Sequence, residues 1–99
     1  MNITKREENG TVTFMLEGWL DTLSAPELDE AISEVTEASA IILDFDGVEY
    51  IASSGLREVV ACHRKAKELN AAFSVINAGT ETMSIFELTG IDKKMDIRK

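Results

Sequence analysis

Cysteine, proline and histidine each occur once among the 99 residues, and these scarcities exclude several classes of protein. The single cysteine, Cys62, cannot form an internal disulfide or a cysteine-based metal cluster. No apolar run approaches the roughly 20 residues of a membrane-spanning helix. The first residues also lack the apolar stretch of a signal peptide. We therefore expect a cytoplasmic protein with no membrane partner.

Basic side chains are scarce in the first half of the chain. Residues 1–52 contain two basic side chains against twelve acidic ones, whereas residues 53–99 contain eight against six. The formal net charge of −8 would be repelled by phosphate backbones, so we expect no direct binding to nucleic acid. An acidic surface suits a basic protein partner, and it equally suits solubility alone.

Phosphate-binding and catalytic motifs are missing. Neither GxGxxG nor GxxxxGK[ST] occurs, so we expect no nucleotide cofactor. His63 is predicted well inside a helix, at the border of its apolar stripe, where a packed histidine is commoner than a catalytic base. Cys62, its neighbour, points in another direction on a helix, which disfavours a metal site. We expect no catalytic residue and no metal ligand.

Apolar periodicity predicts a single α/β domain over residues 1–99. Strands alternate with helices, which implies a mixed, mostly parallel sheet with crossover helices. The predicted strands are Ile3–Glu8, Thr11–Leu16, Ala40–Phe45, Phe73–Ala78 and Met95–Arg98. The predicted helices run from Ser24 through Val35, from Ser53 to Leu69, and from Glu81 to Thr89.

Local signals refine these elements. Asn9 and Gly10 form a dipeptide that favours a tight hairpin turn. Ser24 and Glu27 have the spacing of a capping box at the start of the first helix, with Pro26 in its first turn. Residues 46–51 are predicted to form a turn before the second helix, and Gly90 is predicted to end the third helix.

Asp44 and Asp46 project to the same side of a strand end because strand side chains repeat every two residues. Two carboxylates in this position can hold Mg²⁺. They can equally form and solvate a turn, since aspartate is a common turn residue, and we favour this interpretation.

Ser53, Ser54 and Gly55 lie where a strand and turn lead into the second helix. A serine here can cap the exposed backbone N–H groups of the helix. The same N–H groups and the positive end of the helix dipole also favour a phosphate on the hydroxyl. In α/β sheets, functional sites lie beyond the carboxyl ends of the strands, where this turn is expected.

Three segments together resemble the STAS domain, the family of anti-sigma factor antagonists. Residues 43–56 read LDFDGVEYIASSGL, which is similar to the family signature of a strand, an aromatic and an aliphatic residue, and then Asp-Ser-Ser/Thr-Gly-Leu. Residues 18–21, GWLD, resemble the Gly-x-Leu-Asp before the first helix of the family. Residues 85–91, IFELTGI, resemble its Leu-x-x-Thr-Gly-Leu/Ile ending. The similarity covers nearly the whole chain in the expected order.

The resemblance implies a switch at Ser53. In the family, an anti-sigma factor that is itself a serine kinase binds the unmodified antagonist and releases its sigma factor. Phosphorylation of the serine that matches Ser53 ends this binding, and a phosphatase restores it. The matched motifs imply that the partner contacts a set of converging residues: Asp21, Asp46, Ala52, Ser53, Ser54, Gly55 and Leu56.

Ala52 departs from the family pattern, which has aspartate before the phosphoserine. The sequence therefore leaves open a STAS scaffold or partner protein that is not phosphorylated. A small enzyme with Ser53 as nucleophile is the alternative from another class, and the distant, lone His63 counts against it. We expect a monomer or weak dimer that acts through protein partners.

Overall fold

The computed structural model describes all residues from Met1 to Lys99. Its elements are β1 (Asn2–Glu8), β2 (Thr11–Leu20), α1 (Ala25–Ser33), β3 (Ala40–Ile51), α2 (Ser53–Glu68), β4 (Ala72–Ile76), α3 (Thr80–Thr89), the 3₁₀ helix η1 (Ile91–Lys93) and β5 (Asp96–Ile97). No helix is both long enough and apolar enough to cross a bilayer.

The five strands form one sheet in the order β1-β2-β3-β4-β5. β1 and β2 are antiparallel and joined by Asn9 and Gly10, whose positive φ angles of 50° and 83° confirm the predicted tight turn. Every other neighbouring pair is parallel. Each parallel connection leads to the next strand in the same direction across the sheet. Because such connections are right-handed, the three helices lie on one face of the sheet. The predicted mixed, mostly parallel α/β sheet is confirmed.

The core lies between that face and the helices. Alternate residues of β2 and β3 point into it. The strand that alternation predicts over Thr11–Leu16 and the strand that the apolar run predicts over Ala40–Phe45 are both confirmed. The fully buried large side chains include Phe14, Leu16, Leu28, Ile41, Leu43, Phe45, Val59, Val75 and Phe86. Burial of each such side chain stabilises the fold by about 1.5–3 kcal/mol.

The predicted turn over residues 46–51 is wrong. β3 continues in extended form to Ile51, and β2 continues to Leu20 beside it, with register shifts between Met15 and Glu17 and between Gly18 and Trp19. Glycine permits this close pairing, because a Cβ on Gly47 would lie 2.8 Å from the Leu16 carbonyl oxygen. The aspartate and glycine that suggest a turn therefore mark an irregular strand.

The predicted capping box of α1 is also wrong. α1 begins at Ala25, and the Ser24 side chain makes no capping hydrogen bond with the helix. Its hydroxyl instead donates to the Trp19 carbonyl oxygen at 2.6 Å, near the end of β2. Pro26 lies in the first turn of the helix, as predicted.

The other two helices agree with the sequence within one residue. α2 begins at Ser53 and ends at Glu68, and α3 ends before Gly90, whose φ of 76° is left-handed. His63 is half-buried against Phe73, with ring centroids 5.4 Å apart, so its predicted place at the core edge is confirmed. Burial and the charge of Lys67 lower the pKa of His63.

A buried carboxyl group lies between α1 and α2. Glu58 of α2 is only 9% exposed, and one of its oxygens accepts from the Cys62 thiol at 3.5 Å. Burial and the negative charge of Asp29 on α1 raise the pKa of Glu58 from its ordinary 4.5 to about 7. The folded protein therefore holds this proton more tightly than the unfolded chain does.

We expect Glu58→Gln to remove a pH dependence of stability. Because the folded pKa is raised, the protonated side chain contributes stability that is complete below pH 4.5 and is lost as the pH rises to about 7. At pH 8 the variant should melt a few degrees above the wild type, since about 1 kcal/mol corresponds to roughly 4–8 °C in a domain of this size.

Thermal melts from pH 5 to pH 8 measure this difference. Glu30→Gln is the matched control, because it removes the same charge from an exposed position of α1. Parallel pH profiles for the wild type and Glu58→Gln would contradict the assignment of this titration to Glu58.

Candidate functional site

Two segments that are distant in sequence meet at the carboxyl ends of β2 and β3. Leu20 pairs with Ile51, and the Ala52 N–H donates to the Leu20 carbonyl oxygen at 2.9 Å. Asp21 and Ser53, which follow these strands, are thereby placed at the same edge of the sheet. The structure thus brings together the two predicted groups of site residues.

Gly55 fixes the first turn of α2 against the end of β2. It is buried, and a Cβ added to it would overlap the Leu20 carbonyl oxygen and lie 2.9 Å from Ile51 Cγ1. The absence of a side chain at Gly55 lets the helix approach the end of β2 closely. Gly55 therefore positions the site residues but is itself buried.

The two serines occupy the first turn of α2, and neither caps it. The capping position belongs to Ala52, which has an extended backbone and no side-chain acceptor. Ser54, one of the two serines that could cap the helix, is half-buried, and its hydroxyl hydrogen-bonds with that of Thr22 at 3.1 Å. Ser53 is exposed, and its hydroxyl has no hydrogen-bond partner within the protein.

Asp21 organises the turn that faces these serines. Its Oδ1 accepts from the backbone N–H groups of Ser24 and Leu23, each at 3.1 Å. These hydrogen bonds, chiefly the one from Ser24, lower the pKa of Asp21 and keep it ionised. A fixed negative charge therefore lies at the same edge of the sheet as Ser53.

Asp46 lies away from this group, so the expectation that it adjoins Ser53 is wrong. It precedes Ile51 by five residues of extended strand, which span roughly 16 Å. Asp46 and Asp44 do line one groove, as their spacing predicts. Asp44 Oδ1 accepts from the Asp46 N–H at 3.0 Å and from Asn77 Nδ2 at 2.9 Å, a backbone-shaping role. The chain contains no group of three side chains that suits a metal ion.

Exposed apolar side chains lie near the same edge of the sheet as the site, and the sequence interpretation missed them. Trp19 is 57% exposed and its ring lies 5.2 Å from that of Tyr50, while Leu23 is 85% exposed. Large exposed apolar groups that cluster together are typical of protein–protein contact sites. Strand alternation is the signal that predicts one of them, because Trp19 must point away from the core when Leu20 points into it.

We expect Ala52→Asp to stabilise the protein. Aspartate at the capping position accepts from free N–H groups in the first turn of α2, which typically contributes about 0.5–2 kcal/mol. The melting temperature should rise by several degrees, since about 1 kcal/mol corresponds to roughly 4–8 °C.

Ala52→Asn separates capping from charge, because asparagine caps as well as aspartate but is neutral. Calorimetric melts of both variants should show similar gains. A melting temperature at or below that of the wild type for both variants would show that α2 does not need a cap at residue 52.

The family model described as "STAS domain" matches residues 2–99. The anti-sigma-F factor antagonist RsfB of Mycobacterium tuberculosis is 30% identical over 95 residues, which cover 94% of this chain and 77% of that protein. A crystal structure of an anti-sigma factor antagonist from Mycobacterium paratuberculosis superposes with a TM-score of 0.87 at 27% identity, covering 98% of this chain and 84% of the other.

A more distant structure has the same fold. SpoIIAA of Bacillus, solved in its phosphorylated form, superposes with a TM-score of 0.76. It is 20% identical, and the superposition covers 99% of this chain and 92% of that one. At this identity the likeness shows the fold alone.

Proposed function

Since this chain belongs to the STAS domain family, we propose that it is an anti-sigma factor antagonist that is switched by phosphorylation of Ser53. The unmodified protein binds an anti-sigma factor, itself a serine kinase, and this binding releases a sigma factor. Phosphorylation ends the binding and a phosphatase restores it. The protein acts as a monomer or weak dimer through protein contacts, without catalysis of its own.

The observation that carries the proposal is the free, exposed hydroxyl of Ser53 in the first turn of α2. A kinase can reach this hydroxyl without breaking any internal hydrogen bond. Because no side chain caps the helix, its first N–H groups and the positive end of its dipole remain available to a phosphate. The added charge of about −1.5 to −2 therefore leaves the helix folded.

The same charge changes the surface that a partner meets. A phosphate on Ser53 adds negative charge to the edge of the sheet that already carries the ionised Asp21, so this edge becomes strongly anionic. A partner packed over Trp19 and Leu23 would have to bury this charge. Burying an unpaired charge is costly, and this cost supports release of the partner on phosphorylation.

Ala52 favours a second candidate function. The family pattern has an acidic residue at this position, and its absence removes a carboxylate next to the phosphoacceptor. The chain would then be a STAS scaffold or partner subunit of a signalling complex that is bound without being phosphorylated. Both functions use the same contact surface.

Incubation of the purified chain with the cognate anti-sigma factor, its sigma factor and ATP tests the proposal. We expect the unmodified chain to displace the sigma factor, and mass spectrometry to locate a single phosphate on Ser53. Displacement without any phosphate would favour the scaffold function, and a phosphate on Ser54 alone would reject the assignment of Ser53. Failure to bind the anti-sigma factor would reject the antagonist function itself.

A further inference from the structure

A groove of about 510 Å³ lies between α2 and the corner where α3 leads into η1. Leu56 and Val60 of α2 form one apolar wall, and Ile91 of η1 forms the other; all three pack against the core. Arg57 and Arg64 of α2 complete the lining, together with Ser53 and Thr89. We call this feature the arginine groove.

The charge of the arginine groove is opposite to that of the other grooves. The three other grooves on the molecule are each lined by two or more carboxylates and by no basic residue. Arg57 and Arg64 form no ion pair within the protein, whose net charge is −8. These two cations are therefore free to pair with a ligand, and a ligand with carboxylates is repelled from the other grooves.

The spacing of the two arginines suits a peptide segment. Residues 57 and 64 are seven apart on one helix, so their backbones lie roughly 10 Å apart along its axis. Carboxylates match this distance when they are seven residues apart in a partner helix or three apart in an extended segment. The apolar walls between the arginines would contact the side chains between those carboxylates.

We propose that the arginine groove binds an acidic, apolar segment of the partner protein, with its carboxylates on Arg57 and Arg64. The proposal rests on the proposed function, since it specifies the chemistry by which the anti-sigma factor recognises this chain. The apolar side chains of the segment pack on Leu56, Val60 and Ile91.

The position of Ser53 connects this groove to the switch. Ser53 and Arg57 are four residues apart on α2, so their side chains are neighbours on one face of the helix. A phosphate on Ser53 pairs with Arg57, in competition with the carboxylate of the partner. Phosphorylation therefore both fills the cationic end of the groove and repels the acidic segment.

Calorimetric titration with the anti-sigma factor tests the groove through a charge-reversal pair. Arg57→Glu/Arg64→Glu should weaken binding at least about 100-fold, as expected for lost and reversed charge pairs. Lys5→Glu/Arg6→Glu makes the same change of net charge on the exposed strand β1 and should cost less than about threefold. Thermal melts confirm that both double variants are folded.

A peptide experiment on the wild-type protein does not depend on the identity of the partner. Two synthetic peptides share the same leucines and carry either aspartate or lysine between them. In ¹⁵N NMR titrations, we expect the acidic peptide alone to shift the amide signals of Leu56, Val60 and Ile91.

The outcomes separate the two proposals. Equal losses in both double variants, or none in either, would overturn the groove while leaving the antagonist function intact. If the wild type does not bind the anti-sigma factor, the antagonist function is rejected. The peptide titrations then test the arginine groove on their own. Equal shifts from both peptides, or no shifts from the acidic one, would overturn it.

Discussion

Ser53→Asp should weaken binding to the anti-sigma factor at least about 100-fold, because it adds a fixed negative charge to the sheet edge that carries Asp21 and to the end of the arginine groove. Ser53→Ala should retain the affinity within about threefold, since the hydroxyl that it removes makes no internal hydrogen bond and is exposed. Calorimetry with the anti-sigma factor measures both effects.

Thermal melts distinguish loss of binding caused by a lost contact from loss of binding caused by unfolding. Aspartate in the first turn of α2 interacts favourably with the helix dipole, so Ser53→Asp should melt no lower than the wild type. Ser84→Asp, at an exposed position of α3, is the matched control and should bind normally. Wild-type affinity for Ser53→Asp would show that the switch does not operate through charge at this residue.

Local patterns in the sequence predict much of this fold, because in these elements the residues that form the pattern also make the structural contacts. Alternation in β2 and the apolar run of β3 correspond to side chains that alternate into one core. Gly90 ends α3 in the left-handed conformation that its position suggests. The convergence of Asp21 with Ser53 follows once β2 and β3 are taken as parallel neighbours.

Competing backbone partners account for the elements that sequence patterns misassign. The Ser24 hydroxyl has the spacing of a helix cap, yet the Trp19 carbonyl oxygen competes for it from the end of β2. Residues 46–51 have the composition of a turn, yet β2 lies alongside and supplies backbone partners. In the first case a hydrogen-bond partner five residues upstream overrides the capping preference, and in the second a neighbouring strand overrides the turn preference.

The surface around the site depends even more on how distant elements of the chain pack together. Ser54 is tied to Thr22, 32 residues away, so its role as a cap cannot be judged from α2 alone. The arginine groove needs Ile91 of η1 opposite Val60 of α2. The spacing of Arg57 and Arg64 shows that they share a helix face, but it does not show which element faces them.

Gly55→Ala should have the largest effect on stability of any small substitution in the site. Gly55 is buried where α2 meets the end of β2, and an added Cβ would overlap the Leu20 carbonyl oxygen. The same Cβ would lie 2.9 Å from Leu20 Cγ and from Ile51 Cγ1, so two strands and the helix must move apart. Overpacking of this kind costs about 1–3 kcal/mol, and overlap with backbone places Gly55→Ala at the upper end.

The melting temperature of Gly55→Ala should therefore fall by roughly 10–20 °C, at about 4–8 °C for each kcal/mol. Gly79→Ala is the matched control, because a Cβ there meets no atom within 4 Å and the φ of −68° suits alanine. The small gain from a less flexible unfolded chain and the small loss of a capping glycine should nearly cancel in that control. Since the shift of α2 displaces Ser53 and Leu56 together, Gly55→Ala should also weaken partner binding at temperatures where it is folded. If Gly55→Ala melted like Gly79→Ala, the contact between the start of α2 and Leu20 would not be the constraint that holds the site in place.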